Sequence, residues 1–457
     1  MLRFKRSIRI ILYLVTAMFI LLSASVIKTV ADKDSFISNP YNQRLYISEE
    51  DVKRGNICDI NGNILAESNF NGESYDRIYN YPDIVSNITG YTDKGKTGVE
   101  SAYNFYLEEI DNELLQRLKN VIFKDEILCK DVYLTIDSDL QQKTVETLGK
   151  NKGAIVVMES DTGKIKAMAS NPSFDSNTIY EDWEELNNDE SGPLLNRAAQ
   201  GLYTPGSTFK IITLLSAMEN SPELLEQEYE CKGSEYFDGK VIRCFDETVH
   251  GALTAKEAFT QSCNCYFSKL GELIGPSKIR TTAEKLMLNN GIGFDLNYSV
   301  SQILIEDNAI LSEIVETSIG QGKTLVTPLN MAMITSAIVN EGKMMKPYLL
   351  DHVKNNNGEK EYITIPSVLS SVMSAENSLK IKGFMINVVN EGTGYQSAIS
   401  GKTIGGKTGT AENPNGSDHL WFTGFCGNHV VTVVLENPDG GLRASAAAHS
   451  IFKYLSD

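Results

Sequence analysis

The chain has 457 residues, of which 42% are apolar and 22% are charged. This length allows two or three domains with a sizeable core, and this composition is that of a globular rather than a disordered protein. The formal net charge of -17 argues against nucleic acid as a partner, because binding a polyphosphate requires positive charge.

The N-terminus contains an apolar segment, IILYLVTAMFILLSASVI, at residues 10–27. These 18 residues carry no charge, and a helix of about that length can cross a bilayer. Four basic residues among the first nine predict a cytoplasmic tail at residues 1–9 and an extracellular remainder. We therefore predict a single-pass membrane anchor. The alternative is a signal peptide that is cleaved near the small residues 23–25.

Residues 31–130 form a mixed polar segment, which we predict to be a smaller N-terminal stalk domain. Within it, residues 54–68 read RGNICDINGNILAES. The Asn61-Gly62 pair lies between two short apolar runs, and such a pair in that position predicts a β-hairpin.

The remaining residues, 131–457, have strand patterns at both ends and helical periodicity between them. Residues 153–170 predict two apolar strands around a turn at residues 161–164. Helical periodicity dominates residues 194–340. Three strands and a final helix are predicted at residues 403–410, 419–426, 430–435 and 445–455. This order indicates one large α/β domain of the α+β type, with a mixed sheet flanked by helices.

Seven cysteines are spread along the chain without a CxxC pattern, and an odd number cannot pair completely. Cys231 and Cys244 could close a short disulfide loop, and the alternative is that all seven are buried or free thiols. We interpret Cys263 as a packed small residue rather than a redox switch. The five histidines show no metal-ligand spacing with the cysteines, so the sequence predicts no metal site.

The stretch TPGSTFK, residues 204–210, places Ser207 three residues before Lys210 and after a Pro-Gly pair. Proline and glycine suit the entrance of a helix, which would place Ser207 in the first helical turn. Positions i and i+3 share one helix face, so the hydroxyl and the amine can meet. A serine hydroxyl is a weak nucleophile without a base, and a buried lysine can lose its proton and act as one. The spacing therefore predicts a Ser-Lys nucleophile, although SxxK alone also occurs by chance.

Two later motifs follow in the same predicted domain. Ser262 and Asn264 form an SxN triplet in QSCNCYF, and Lys407 begins a KTG triplet in GGKTGTAE, residues 405–412. We expect Ser262 to relay a proton and Asn264 to hold Lys210 or a substrate amide. Lys407 would supply positive charge that keeps Lys210 neutral and attracts a carboxylate. The order SxxK, SxN, KTG is that of penicillin-binding proteins and class A β-lactamases.

With these motifs the chain resembles the class B penicillin-binding proteins over nearly its whole length. Stretches similar to the family include RGNICDINGN, LTIDSDLQ, GAIVVMESDTGKIKAMAS, SIGQGKT and HLWFTGF. NPYNQR, residues 39–44, is similar to the start of penicillin-binding protein A types from Gram-positive bacteria. The resemblance implies a penicillin-binding/serine β-lactamase-like transpeptidase domain at residues 131–457, on a dimerisation or pedestal-like stalk at residues 31–130.

The resemblance further implies a serine D,D-transpeptidase that cross-links peptidoglycan. Ser207 would attack the stem peptide between its two terminal D-alanines, with Lys210 as base, and a neighbouring amine would resolve the acyl-enzyme. Backbone N–H groups of Ser207 and Thr410 would form the oxyanion hole. Thr408 and Thr410 would hold the substrate carboxylate, and Gly409 would allow close backbone approach. β-Lactams would acylate Ser207, and no metal or organic cofactor is implied.

The implied partners are stem peptides ending in D-Ala-D-Ala, β-lactams as inhibitors, and the membrane through the N-terminal helix. The stalk has about 100 residues, too few for the glycosyltransferase domain of the family's bifunctional members. We therefore expect a separate membrane glycosyltransferase as a partner.

Other functions stay open at this point. A β-lactamase would deacylate quickly, but its EELN-like stretch, residues 184–187, precedes Ser207 and is predicted to be a solvated acidic loop. A β-lactam sensor carries several membrane spans and a zinc protease domain, whereas this chain has one predicted span and no HExxH. A D,D-carboxypeptidase would use water in place of the amine. A non-catalytic scaffold would not need an intact set of motifs.

Overall fold

The structure is a computed structural model that describes residues 13–23, 25, 53–108, 129–412, 418–438 and 441–456. The predicted tail at residues 1–9, the NPYNQR stretch at residues 39–44 and both ends of the predicted anchor lie outside the described residues. Residues 13–23 form a helix with exposed side chains. Within the described ranges, no helix is both long enough and apolar enough to span a bilayer.

The strands, in chain order, are β1 (Ile57–Cys58), β2 (Ile64–Phe70), β3 (Tyr75–Tyr79), β4 (Asp131–Leu134), β5 (Gly153–Glu159), β6 (Ile165–Asn171), β7 (Tyr229–Cys231), β8 (Ser234–Phe237), β9 (Lys240–Arg243), β10 (Gly251–Leu253), β11 (Lys343–Met345), β12 (Leu350–Lys354), β13 (Lys360–Ile363), β14 (Val368–Ser371), β15 (Ile404–Ala411), β16 (His419–Cys426) and β17 (His429–Leu435). The α-helices are α1 (Pro82–Thr89), α2 (Gly98–Ala102), α3 (Asn104–Glu108), α4 (Ser138–Leu148), α5 (Trp183–Asn188), α6 (Lys210–Asn220), α7 (Ala255–Thr260), α8 (Asn264–Ile274), α9 (Pro276–Lys285), α10 (Leu311–Ser318), α11 (Pro328–Val339), α12 (Ala375–Asn390) and α13 (Ala444–Tyr454). Short 3₁₀ turns occur at Gly206–Phe209, Pro222–Glu226, Phe245–Glu247 and Tyr395–Ser397.

The predicted hairpin in the stalk is confirmed, because β1 and β2 pair antiparallel on either side of Asn61-Gly62. Gly62 has a φ of 90°, which favours glycine. The Asp59 carboxylate accepts the backbone N–H groups of Asn61 at 2.9 Å and Asn63 at 2.8 Å. β1 also pairs in parallel with β4, within a six-stranded sheet of order β13-β12-β4-β1-β2-β3. This sheet joins the stalk strands to strands that follow in the rest of the chain.

A second sheet has five strands, in the order β15-β16-β17-β5-β6. β5 pairs with β17 although the two come from opposite ends of the domain, with Gly153 opposite Leu435. The predicted fold, in which strands from both ends form one sheet with helices between them in sequence, is confirmed. Pairing in this sheet is antiparallel throughout, and parallel pairing occurs instead between β1 and β4.

Helices cover both faces of the five-stranded sheet. On one face, Leu140 of α4 and Ile451 of α13 share a buried cluster with Val433 of β17. On the other face lies α11, in which every residue from Pro328 to Ile338 is buried. Apart from Asn330, its side chains are apolar or small on all sides, as expected of a helix that other elements enclose. The two layers hold edge strand β15 in contact with the turn that precedes α6.

The predicted helical content of residues 194–340 was wrong at residues 229–253. That segment contains β7 to β10, which form two-stranded sheets. These strands are three or four residues long, and glycines with positive φ, such as Gly233 and Gly239, separate them. Strands of that length contain too few residues to show a clear alternation of apolar and polar residues, so the sequence pattern did not reveal them. The last three strands and α13 lie within one residue of their predicted bounds.

Candidate active site

Ser207 lies in the 3₁₀ turn Gly206–Phe209, and α6 begins directly afterwards at Lys210. Ser207 therefore precedes the α-helix, whereas the sequence predicted that it would lie in the first helical turn. Gly206 has a φ of 52°, and a Cβ atom added there would lie 2.4 Å from the backbone oxygen of Thr410. The turn can pack this closely against β15 only because the residue before Ser207 is glycine.

Lys210 is fully buried. Its Nζ donates hydrogen bonds to the Ser262 backbone oxygen at 2.7 Å, to Ser262 Oγ at 3.2 Å and to Asn264 Oδ1 at 2.6 Å. Burial lowers the pKa of Lys210 to about 8. These bonds hold the Lys210 amine against residues 262–264, which we call the SxN turn. Among the described residues, Lys210 Nζ makes no hydrogen bond to the Ser207 hydroxyl. An amine with this pKa can gain and lose a proton near neutral pH, as a general base must.

Lys407, on strand β15, contacts the hydroxyl of Ser262, as Lys210 does. It is fully buried, and its Nζ donates to Ser262 Oγ at 2.9 Å and to the Thr408 backbone oxygen at 3.0 Å. Burial and the charge of Lys210 lower the pKa of Lys407 well below its usual value. Two buried ammonium groups that contact one hydroxyl repel each other, so the lysine pair disfavours the state in which both amines are charged.

Ser262 and Asn264 lie on a constrained piece of backbone. Ser262 has a φ of 57°, in the left-handed region that side chains rarely adopt and that is often found at functional sites. α8 begins at Asn264, with Cys263 as its N-cap. Asn264 Nδ2 donates to the Arg243 backbone oxygen at 2.8 Å. That bond fixes the amide so that its oxygen accepts the hydrogen bond from Lys210.

A cleft of about 610 Å³ opens over this group of residues. Ser207 and Ser262 line it, whereas Lys210 and Lys407 are buried behind its wall. Strand β15 forms one side, where Thr408 Oγ1 lies 2.5 Å from Thr393 Oγ1 and Thr410 is exposed. The structure thus brings together every predicted site residue: Ser207, Lys210, Ser262, Asn264, Lys407, Thr408, Gly409 and Thr410.

Sequence reasoning missed several groups around the cleft. Thr393 lies in EGTGYQS, a stretch that matches no motif. Trp421 Nε1 donates to the Thr204 backbone oxygen at 3.0 Å, and this bond fixes the segment that leads into Ser207. Behind the SxN turn, cysteines and His250 converge in space, although their separations along the chain match no familiar ligand pattern.

The fold and the arrangement of its motifs define a serine acyltransferase of the SxxK type. The chain belongs to the penicillin-binding protein transpeptidase family, since the sequence model of the penicillin binding protein transpeptidase domain matches residues 153–457. The model of the penicillin binding protein A dimerisation domain matches residues 54–129.

Similar proteins agree with this assignment. The chain is 30% identical to the peptidoglycan D,D-transpeptidase PbpA of Mycobacterium tuberculosis, over 97% of this chain and 96% of that protein. It resembles the structure of the D,D-transpeptidase domain of a peptidoglycan glycosyltransferase from Eggerthella lenta, with a TM-score of 0.81, 31% identity and coverage of 89% of this chain and 98% of that one. It also resembles penicillin-binding protein A from M. tuberculosis in an imipenem acyl-enzyme complex, with a TM-score of 0.83, 27% identity and coverage of 90% and 100%.

Proposed function

We propose that Ser207 is the nucleophile of this peptidoglycan D,D-transpeptidase and that Lys210 is its general base. The observation that carries the proposal is the buried Lys210 amine, which is hydrogen-bonded to Ser262 and Asn264 behind the cleft that Ser207 lines. In its neutral form this amine can take the hydroxyl proton as Ser207 attacks.

In the acylation step, Ser207 Oγ attacks the carbonyl between the two terminal D-alanines of a stem peptide. The hydroxyl proton passes to Lys210, and the N–H groups of Ser207 and Thr410 stabilise the oxyanion. The close approach of Gly206 to the Thr410 backbone supports this oxyanion hole, because it places both backbone segments at one edge of the cleft. The C–N bond then breaks, and terminal D-alanine leaves after taking a proton relayed by Ser262 Oγ, which contacts both lysines.

The side chains of β15 hold the substrate during both steps. Thr408 and Thr410 donate hydrogen bonds to the terminal carboxylate. The positive charge of the Lys210–Lys407 pair attracts the same carboxylate. Gly409 lets the strand backbone approach the turn before Ser207, since a Cβ there would lie 3.0 Å from the Pro205 oxygen. In the second step, the amine of a neighbouring stem peptide attacks the ester and loses a proton to a neutral lysine of the pair. The bond between the acyl carbon and Ser207 Oγ breaks, and Oγ takes back a proton from the lysine pair. A β-lactam forms the same ester with Ser207.

We also propose how the chain is arranged at the cell surface. Residues 1–9 lie in the cytoplasm, residues 10–27 are a single-pass anchor, residues 31–130 are the stalk, and residues 131–457 are the extracellular catalytic domain. The uncharged segment and the basic residues before it support this topology. A separate membrane glycosyltransferase supplies the glycan strands. If no such enzyme co-purifies with the full chain or stimulates its cross-linking, this partnership is wrong.

Intact-protein mass spectrometry of the full chain with benzylpenicillin tests the function. A transpeptidase forms a stoichiometric, long-lived adduct and joins peptidoglycan stem peptides into dimers as D-alanine is released. Release of D-alanine without dimers would indicate a carboxypeptidase, and rapid turnover of penicillin would indicate a β-lactamase. A stable adduct without release of D-alanine would indicate a β-lactam sensor, and folded protein that forms no adduct would indicate a non-catalytic scaffold.

The EELN stretch, residues 184–187, is the sequence feature that a β-lactamase would use, and its position in the structure does not support that alternative. Residues 184–187 lie in the short helix α5 rather than in the predicted loop, but they are solvated, as expected. Glu184 and Glu185 are exposed, and neither lines the cleft of Ser207. A carboxylate outside the cleft is not placed to activate a water that attacks an ester on Ser207.

The rate of acylation by penicillin is expected to rise roughly tenfold between about pH 7 and about pH 9. Burial lowers the pKa of Lys210 to about 8, so the amine is mostly protonated at the lower pH and mostly neutral at the higher. Only the neutral amine can accept the Ser207 proton, and the rate therefore increases with pH. Stopped-flow kinetics would measure the acylation rate, with circular dichroism as a check on the fold. A rate that does not change over this range would contradict Lys210 as the base.

Replacing Gly206 with alanine is expected to destabilise the fold and to slow acylation at least tenfold. A left-handed backbone costs alanine about 1–2 kcal/mol, and the added Cβ would also displace Thr410. Gly427→Ala is the matched control, because Gly427 has a φ of 61° but no atom within 4 Å of an added Cβ. Thermal unfolding and acylation would be measured for both variants. Equal effects would show that the contact with Thr410 does not matter.

A further inference from the structure

Thiol sulfurs and one imidazole converge directly behind the SxN turn. Cys244 Sγ lies 3.7 Å from Cys231 Sγ and 3.7 Å from Cys263 Sγ. His250 Nδ1 lies 3.4 Å from Cys231 Sγ. The ligand atoms of these four residues all lie within 4.8 Å of one another. The three cysteines are buried, and His250 lines the cleft.

These separations fit the edges of a tetrahedral metal site. Zinc–sulfur bonds of about 2.3 Å at tetrahedral angles place two sulfurs about 3.8 Å apart, and a zinc–nitrogen bond of about 2.0 Å places the nitrogen about 3.5 Å from a sulfur. Three of the six separations, two of 3.7 Å between sulfurs and one of 3.4 Å from sulfur to nitrogen, agree with these values, and the other three are no longer than 4.8 Å. Three cysteines and one histidine are a donor set that structural zinc sites use.

We propose that this cluster binds one structural Zn²⁺ through the ligands Cys231, Cys244, Cys263 and His250. A disulfide would use two of the sulfurs and leave a third thiol and the imidazole facing it without a function. A fifth group, Cys265, lies 3.6 Å from Cys244 but is not within reach of all the others. It is therefore a neighbour of the site rather than a ligand.

The segment that supplies three of the ligands gives a physical reason for the metal. Cys231, Cys244 and His250 lie in residues 229–253, where β7 to β10 form two-stranded sheets of three- or four-residue strands. Sheets of that size are marginally stable on their own. A metal that links this segment to Cys263 at the start of α8 would stabilise it, because the binding free energy of a structural metal adds to folding.

The metal would also position the catalytic turn. Cys263 lies between Ser262, whose φ is 57°, and Asn264, whose amide holds Lys210. A bond from Cys263 Sγ to the metal would keep this left-handed turn in place. Cys244 and His250 line the cleft, which gives the cation a route to the site from solvent.

The first test measures zinc in the full chain, purified without chelator, by elemental analysis. We expect about one zinc ion per chain, lost in Cys231→Ser and in His250→Ala. Cys426→Ser is the matched control and should retain the metal, since Cys426 lies outside the cluster. Zinc retained in both ligand variants would place the metal elsewhere and overturn the proposal.

The second test needs no substitution and separates a metal from a disulfide. Unfolding the protein with a chelator and an alkylating reagent, but no reductant, should label all seven cysteines. Two unlabelled cysteines within the cluster would show a disulfide, and labelling of all seven without any bound zinc would show free thiols; either result overturns the proposal. Folded protein reloaded with Co²⁺ should show thiolate-to-cobalt charge-transfer absorption.

The third test concerns the link to catalysis. Removing the metal from the folded full chain should slow penicillin acylation at least tenfold, and added Zn²⁺ should restore the rate. An unchanged rate in protein shown to have lost its zinc would overturn the positioning role. This inference rests on the proposed function, but adduct formation on Ser207 and zinc content are measured separately. A stable penicillin adduct on Ser207 would support the proposed function even if the metal site proved wrong.

Discussion

The Ser207→Ala variant is expected to form no covalent adduct with penicillin and to lose cross-linking by a factor of about 10⁴ or more. Ser207 lines the cleft and follows Gly206, which packs against the backbone of Thr410, so replacing it removes the proposed bond-forming atom. The fold should survive, because within the described residues no hydrogen bond depends on this hydroxyl. Mass spectrometry of the full chain after incubation with benzylpenicillin would measure the adduct.

Ser216→Ala is the matched control for this experiment. Ser216 is buried in α6, the helix that follows Ser207, and its Oγ has no hydrogen-bond partner among the described residues. This variant should therefore acylate at the wild-type rate and unfold at the wild-type temperature. An adduct that forms on Ser207→Ala at an undiminished rate would mean that another residue is the nucleophile, and the proposed mechanism would be wrong.

The motifs could be found from the sequence because each lies on one short local element. Ser207 is in a turn at a helix start, Ser262 and Asn264 flank a helix N-cap, and Lys407 is on an edge strand. What the sequence could not give is the way these elements meet. The contact from Lys210 to Ser262 spans 52 residues, and that from Lys407 to Ser262 spans 145. No local periodicity encodes such long-range contacts, nor the pairing of β5 with β17 in the sheet to which Lys407 belongs.

The cysteine cluster is a second arrangement that local sequence patterns could not predict. Cys231 and Cys244 belong to strands and turns too short for a pattern to mark, and Cys263 comes from a helix N-cap. Their ligand atoms converge only after the region 229–253 folds back onto α8. Familiar zinc motifs have ligands in closely spaced pairs along the chain, and this cluster has none among the four proposed ligands. The sequence therefore predicted no metal, and only the geometry suggested one.

The Lys210→Met variant is expected to slow acylation of Ser207 by a factor of about 10²–10⁴, the usual contribution of a general base. Methionine keeps much of the length and the apolar body of lysine but cannot accept a proton. Removing a fully buried amine relieves its desolvation cost, which offsets the hydrogen bonds that Ser262 and Asn264 lose. The thermal stability should therefore change little. Unlike Ser207→Ala, this variant should still accumulate an adduct slowly, and on the same serine.

Two further measurements separate a base from a merely structural lysine. Lys130→Met is the control, because Lys130 is also buried and pairs with Glu361 at 2.8 Å beside β4; it should acylate at the wild-type rate. The residual acylation of Lys210→Met should also lose the rise with pH, since the group whose pKa is about 8 is gone. A slow variant that keeps the wild-type pH profile would mean that Lys210 only supports the turn and that the proton goes elsewhere. The shared contact at Ser262 Oγ would then make Lys407 the next base to test.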